Sequence, residues 1–242
     1  MELSASSLER LIPDQLAPED ATGQEALRIG LDRYAFAARH ALPGRLIDCA
    51  CGVGYGTHHL VEAAPQVTHA IGLDLSQSTI DYARERYAHA RIEFRQGNAL
   101  GPIEGAPFDT VVSIETIEHL LDPEGFVARM AKLVRPGGLF IASVPTTPSV
   151  DANPYHLHDL TPRSFRRLFT PHGLVEVDAF EQDQPFSPIA VATRSEARME
   201  DLRPNLPAYY AAHPGALLRR VWSTLRHGFK NKYLTLVWQR PE

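Results

Sequence analysis

Hydrophobic and polar positions along the chain follow two alternating patterns. Apolar residues recur at helical spacing in ALRIGLDRYAFAARHA, residues 26–41, until the Pro-Gly pair at 43–44 interrupts them and the compact apolar run RLIDCA begins. The succession then repeats: THHLVEAAP reads as helix and HAIGLDLS as strand, and SQSTIDYARERYAHA reads as a helix capped by Ser76 or Ser78, with RIEFRQGNA as the next strand. FDTVVSIET gives a fourth strand, EGFVARMAKLVRPGG a helix stopped by paired glycines, and LFIASVP a fifth strand. Short apolar runs separated by helices are βα units, so the pattern predicts an α/β fold built on a parallel sheet.

Beyond Pro145 the periodicity gives way to TTPSVDANPYHLHD, a stretch of turn formers. TPRSFRRLFTPHG follows as a helix, with Thr161 as cap and Pro162 in the first turn. LVEVDAFEQD and the final KYLTLVWQR alternate as strands, separated by roughly 50 residues, far more than a simple connection needs. If the sixth strand runs parallel to the first five and the last returns antiparallel, this insertion lies at the carboxyl ends of the strands, where open α/β sheets bind ligands. The expected organisation is one domain over residues 1–242: cap helices to 41, a core from 42 to 183, a helical insertion from 184 to 231 over the site, and a last strand from 232.

With 242 residues and 44% hydrophobic content the chain can bury a core of this size. A formal net charge of −5 gives no overall pull toward nucleic acid or anionic membrane, so any basic surface must be local. The start, MELSASSLERLIPDQ, lacks a cationic segment leading into an apolar run, and no stretch approaches the roughly 18 apolar residues of a membrane span. A cytoplasmic, soluble protein is expected. Cys49 and Cys51, two apart at a strand end, suit neither a disulfide framework nor a zinc site and read as small buried residues beside a tight turn.

That turn is the first chemical signal. In LIDCACGVGYGTHHL the glycines Gly52, Gly54 and Gly56 bring a ligand close to backbone, yet Thr57 stands where a dinucleotide fingerprint needs spacing toward a third glycine. Asp74, ending the second strand, can take both hydroxyls of a ribose. Asp48, just before the loop, would set a fixed negative charge at its mouth, which repels a pyrophosphate and favours the ammonium and sulfonium of S-adenosylmethionine.

LIDCACGVGYG, GLDLS, QGNA, FDTVVSIETIEHLLDP and LVRPGG together resemble the successive motifs of class I S-adenosylmethionine-dependent methyltransferases, over roughly residues 26–145. RYAFAARHA, ETIEHL and NPYHLHDLTPRSF resemble a branch of small O-methyltransferases associated with glycan or secondary-metabolite biosynthesis. The resemblance implies a Rossmann-like, doubly wound seven-stranded sheet with its last strand antiparallel. It also implies roles: Gly52 and Gly54 at the methionine part of the cofactor, Asp74 on the ribose, Leu75 on the adenine, and Asn98 and Ala99 at the adenine edge. Asp48, Glu115, Arg33 and Tyr34 complete the expected cofactor surroundings. Ala50 replaces the first glycine of the loop in many members, and alanine suits the turn only if φ stays negative there.

Methyl transfer is an in-line displacement, so the protein must align the acceptor and remove its proton. Glu115, Glu118 and His119 would share a face if ETIEHL turns helical. In one reading His119 is the general base, with Glu118 orienting it. In the other Glu115, Glu118, His119 and His156 hold a divalent ion that lowers the acceptor's pKa, a set that resembles the metal site of small-RNA 3′-terminal 2′-O-methyltransferases and suits Mg, Mn, Fe or Zn. Whether His156 or His158 faces inward stays open.

GALLRRVWSTLRHGFKNK places Leu217, Leu218, Val221, Trp222 and Leu225 in one helical stripe among Arg219, Arg220, Arg226, Lys230 and Lys232. Such a segment could recognise an anionic acceptor, rest on a membrane surface, or be a solvated basic face. Tyr209, Tyr210 and Trp222 could line an acceptor pocket or pack as core. The expected partner is a small-molecule or glycan-linked acceptor, with nucleic acid disfavoured. The alternatives are a metal-dependent RNA 2′-O-methyltransferase and a non-catalytic S-adenosylmethionine-binding subunit.

Overall fold

The computed structural model of the chain describes residues 11–193 and 202–242. Its centre is a seven-stranded sheet of order β3-β2-β1-β4-β5-β7-β6. The strands are β1 (Gly44–Cys49), β2 (Val67–Asp74), β3 (Ile92–Gln96), β4 (Phe108–Ile114), β5 (Val134–Pro145), β6 (Val175–Pro185) and β7 (Lys230–Gln239). Neighbours among β1 to β5 pair in parallel, and β7 runs antiparallel to both β5 and β6. This is the predicted doubly wound, Rossmann-like topology.

Strand alternation explains why both faces of the sheet are covered. Leu46, Val112 and Ile141 point to one face, where they join Phe36 and Ala37 of α1 (Ala21–His40) and Leu60 and Val61 of α2 (Tyr55–Ala63). Their immediate neighbours Ile47, Val111 and Phe140 point to the other, against Phe126 and Met130 of α4 (Pro123–Leu133) and Phe165 and Phe169 of α5 (Pro162–Phe169). Between β2 and β3 lies α3 (Gln77–Arg86), whose cap is Ser76, accepting from the Thr79 amide. Thr161 and Ser164 form a reciprocal capping box on α5.

Three local predictions need correction. The helix expected through residue 138 ends at Leu133, because β5 already pairs Val134 with Phe108; its register then jumps to Leu139 against Thr110 across a bulge in which Gly137 has φ of 71°. ETIEHL forms a single 3-10 turn, Ile117–His119, and Glu115 stays outside it at the strand end. The helix predicted through residue 90 stops at Arg86.

The insertion consists of α6 (Pro188–Thr193), α7 (Leu206–Ala212) and α8 (Pro214–His227). It leaves β6 at Pro185, which faces Lys230 of β7, and β7's Tyr233 faces Pro145 at the carboxyl end of β5. The insertion therefore sits at the sheet edge where β1, β2 and β4 also end. Expected features within residues 1–10 and 194–201 lie outside the described residues.

Candidate active site

A cavity of about 720 Å³ opens over the carboxyl ends of the strands. One half is walled by the loop after β1, by Asp74 and Leu75, and by Asn98 and Ala99. Asp74 is only 6% exposed; one carboxylate oxygen accepts from the Gly52 amide at 3.1 Å and the other from the Ser76 amide at 3.0 Å, so the acid ties the loop to the end of β2. Leu75 beside it is 64% exposed, an apolar side chain held out into the cavity. Asn98 closes its own turn, its Oδ1 accepting from the Leu100 amide at 2.9 Å.

The glycines divide in role. Gly52 has φ of 56° and open space where a Cβ would stand, and it lines the cavity. Gly54 does not line it: with φ of 89°, a Cβ there would lie 2.8 Å from Ala83 and Phe94, so close packing against α3 and β3 requires a glycine at this place. Ala50, expected to keep a negative φ, has φ of 64°. A left-handed alanine costs roughly 1–2 kcal/mol because its Cβ crowds the carbonyl. Ala50→Gly is therefore expected to raise unfolding stability by about 0.5–1 kcal/mol after the entropy of glycine in the unfolded chain is offset. Denaturant unfolding checks this, and a loss of stability would remove the strain argument.

Asp48 departs further from expectation. It is fully buried, lies behind the loop and does not line the cavity. The Thr57 hydroxyl donates to its Oδ2 at 2.6 Å and the Tyr34 hydroxyl also donates to it, while Oδ1 has no hydrogen-bond partner among the described residues. Burial lifts its pKa to about 6, against the two hydroxyl hydrogen bonds that favour the anion. A carboxyl raised in the folded state contributes stability at acid pH that is lost as pH climbs from the ordinary carboxylate range to about 6. Asp48→Asn should abolish that loss, gaining up to about 3 kcal/mol on the wild type between pH 4 and 7. Parallel pH dependences of unfolding in the two proteins would contradict the assignment.

Helix α1 supplies the roof. Tyr34 fills the space where a Cβ on Gly56 would sit, which explains that glycine, and its ring also reaches the cavity. Arg33 is 4% exposed, with its guanidinium 3.1 Å from Glu115 Oε1 and 4.4 Å from the centre of the Tyr233 ring. Glu115, left-handed with φ of 51°, accepts from the Ser143 hydroxyl at 2.7 Å. Tyr233 donates to Gln184, which also lines the cavity. Sequence reasoning named Arg33 and Glu115 but missed their partners, since Ser143, Gln184 and Tyr233 lie on strands far apart in the chain.

The other half of the cavity is built from the turn after β4 and the loop after β5. The Leu157 amide donates to the Glu118 carbonyl at 2.8 Å and His158 binds the Leu120 carbonyl, zipping the two segments together. His158 is thereby turned away, and His156 is the imidazole that lines the cavity. His119 Nδ1 lies 3.0 Å from the Tyr155 carbonyl, which can only accept, so Nδ1 carries the proton and Nε2 is the basic nitrogen of the neutral ring. Glu118, 1% exposed, has Oε1 3.9 Å from that Nε2. Glu118, His119 and His156 offer ligand atoms within 4.8 Å of one another. Glu115 is not part of this group, since Arg33 and Ser143 hold its carboxylate elsewhere. Of the aromatics expected to line a pocket or pack as core, none lines the cavity: Tyr210 donates to Asp151, and Trp222 is 66% exposed.

Residues 47–142 match the model of the methyltransferase domain family. A Mycolicibacterium smegmatis protein named "Probable S-adenosylmethionine-dependent methyltransferase" is 35% identical over 142 residues, covering 55% of this chain and 53% of that protein. A ubiquinone biosynthesis O-methyltransferase of Methylocella silvestris is 34% identical over 123 residues, covering 47% of this chain and 44% of its own. The chain thus spans about half the length of the curated relatives it matches. By fold it is similar to the N-methyltransferase NodS of Bradyrhizobium japonicum WM9, with a TM-score of 0.59, 13% identity and coverage of 90% and 98% of the two chains. Over residues 47–142 the chain is thus similar in sequence to the methyltransferase domain family, and its seven-stranded sheet has a Rossmann-like fold.

Proposed function

We propose that the protein transfers a methyl group from S-adenosylmethionine to an oxygen of a small-molecule or glycan-linked acceptor, of the sort met in secondary-metabolite or glycan assembly. One observation carries the reading: a single cavity joins the acid at the end of β2 to the imidazole after β4. The residues fit the cofactor. Asp74 brings a carboxylate to the cavity wall to meet ribose hydroxyls, Leu75 offers an apolar face to adenine, Gly52 leaves its backbone open, and Arg33 presents a buried cation over the methionine end. When bound, S-adenosylmethionine supplies an electrophilic methyl carbon on a positive sulfur.

The protein's own task is then the acceptor. His119 Nε2 takes the hydroxyl proton as the oxygen attacks, and the buried Glu118 carboxylate stabilises the imidazolium that forms. The bound donor would also supply the leaving group, a thioether that retains the electron pair of the broken bond. A neutral imidazole suits an acidic hydroxyl, such as a phenol, better than an aliphatic alcohol, whose proton is held far more tightly. The ubiquinone biosynthesis relative, an O-methyltransferase by name, supports oxygen as the target.

A second reading rests on the trio Glu118, His119 and His156. Carboxylate and imidazole suit a divalent ion, and the Tyr155 carbonyl and Ser149 hydroxyl orient the two rings as ligand histidines require. Yet the donors spread to 4.8 Å, wider than the roughly 4 Å that bonds of about 2.1 Å span, so they must draw together to hold one ion. Calorimetry tests the common ground: S-adenosylhomocysteine should bind and NAD and ATP should not. The reverse result removes both readings.

A further inference from the structure

Helix α8 is turned the wrong way round for a helix that only packs. Its least exposed positions are Ala216, Arg220, Ser223, Thr224 and His227, small or polar residues, with Arg220 donating to the Pro148 carbonyl and lining the cavity. The apolar stripe lies roughly 150° away around the axis and faces out. Leu218 is 70% exposed, Trp222 66% and Leu225 78%, with Leu217 and Val221 also exposed and Phe229 just beyond the helix. Contiguous apolar surface of this kind marks a docking face.

Charge identifies the occupant. Residues 202–241 contain seven of the 24 basic residues and none of the 29 acidic ones, leaving the rest of the chain strongly acidic. Arg219 and Arg226 border the stripe, and neither has an ion pair among the described residues; Lys230 and Lys232, at its end, are held by Asp183. Two copies joined through their stripes would bring these arginines together with no acid on α8 to meet them. A 14-residue amphipathic helix with outward leucines, a tryptophan and a basic border matches the interface of an anionic bilayer, its acidic body held away from the lipid.

We infer that α8 docks the protein on anionic lipid surfaces through Leu218, Trp222 and Leu225, flanked by Arg219 and Arg226. Arg220 on the inner side of the same helix lines the cavity, so an acceptor carried in the bilayer would arrive beside the site; only this consequence rests on the proposed methyl transfer. No helix among the described residues is long and apolar enough to cross a membrane, so the attachment is peripheral.

Sedimentation with vesicles of phosphatidylcholine, with and without phosphatidylglycerol, tests the inference. Binding should be at least about tenfold tighter with the anionic lipid and weaken with salt. Leu218→Glu with Trp222→Glu should abolish it, and Arg219→Glu with Arg226→Glu should weaken it about tenfold or more. All four positions are exposed, and an unchanged affinity for S-adenosylhomocysteine confirms that the variants are folded. Of the two tryptophans, Trp238 is 3% exposed and stacked on Phe169, so a blue shift of emission on adding vesicles reports Trp222. No vesicle binding, equal binding by the Leu218/Trp222 variant, or a dimer that this variant dissolves would each overturn the inference. Vesicle binding without cofactor binding would instead sink the methyl-transfer reading and leave docking intact.

Discussion

His119→Ala is expected to lower kcat for methyl transfer by about two to four orders of magnitude while leaving the affinity for S-adenosylhomocysteine within about threefold. The split follows from position. His119 belongs to the turn after β4, strapped to the loop after β5, whereas the groups proposed to hold the cofactor's nucleoside part lie at the ends of β2 and β3. If Nε2 is the base, the variant also loses the acid limb of the pH–rate profile, since the group whose protonation blocks proton removal is gone. His156→Ala then costs far less than His119→Ala, and a chelator has no effect. If the trio holds an ion, removing any one of the three donors costs about the same, the chelator inactivates the wild type, and added Mn or Mg restores it. A His119→Ala enzyme with wild-type kcat would exclude both chemistries and return the turn to a structural role.

The sheet was legible in the sequence because β1, β2, β4 and β5 are buried on both faces, and runs such as RLIDC and FDTVVSI admit no other reading once helices separate them. The histidine and glutamate after β4 were legible for the same reason: they follow the strand at the sheet's ligand-binding end. Side-chain direction was not legible. Asp48 and Asp74 both lie near strand ends, yet Asp48 pairs with Gly72, two residues short of Asp74, and is sealed under Tyr34 and Thr57 while Asp74 reaches the cavity. Glu115 left the metal candidates because a left-handed backbone and Ser143 fold its carboxylate toward Arg33. Periodicity found the stripe on α8 but could not say that it faces solvent, since an amphipathic pattern fixes a face and not what covers it.

Asp74→Ala should weaken S-adenosylhomocysteine by about a hundredfold, the largest binding effect expected in the chain. Two losses combine. The ribose hydroxyls lose charge-assisted acceptors, and the Gly52 amide, held by Oδ2 at 3.1 Å, is left without this partner at the point where the backbone meets the ligand. Asp74→Asn separates them, because its carbonyl oxygen preserves one acceptor for the loop or the sugar but not both; about tenfold weaker binding is expected. An analogue lacking the 2′- and 3′-hydroxyls completes the cycle. It should bind the wild type poorly and the two variants with little further loss, since the interaction it lacks is the one they have lost. Were hydroxylated and deoxygenated ligands to suffer equally from Asp74→Ala, the acid would be acting through the loop alone, and the sugar would have to be held by another group in the cavity.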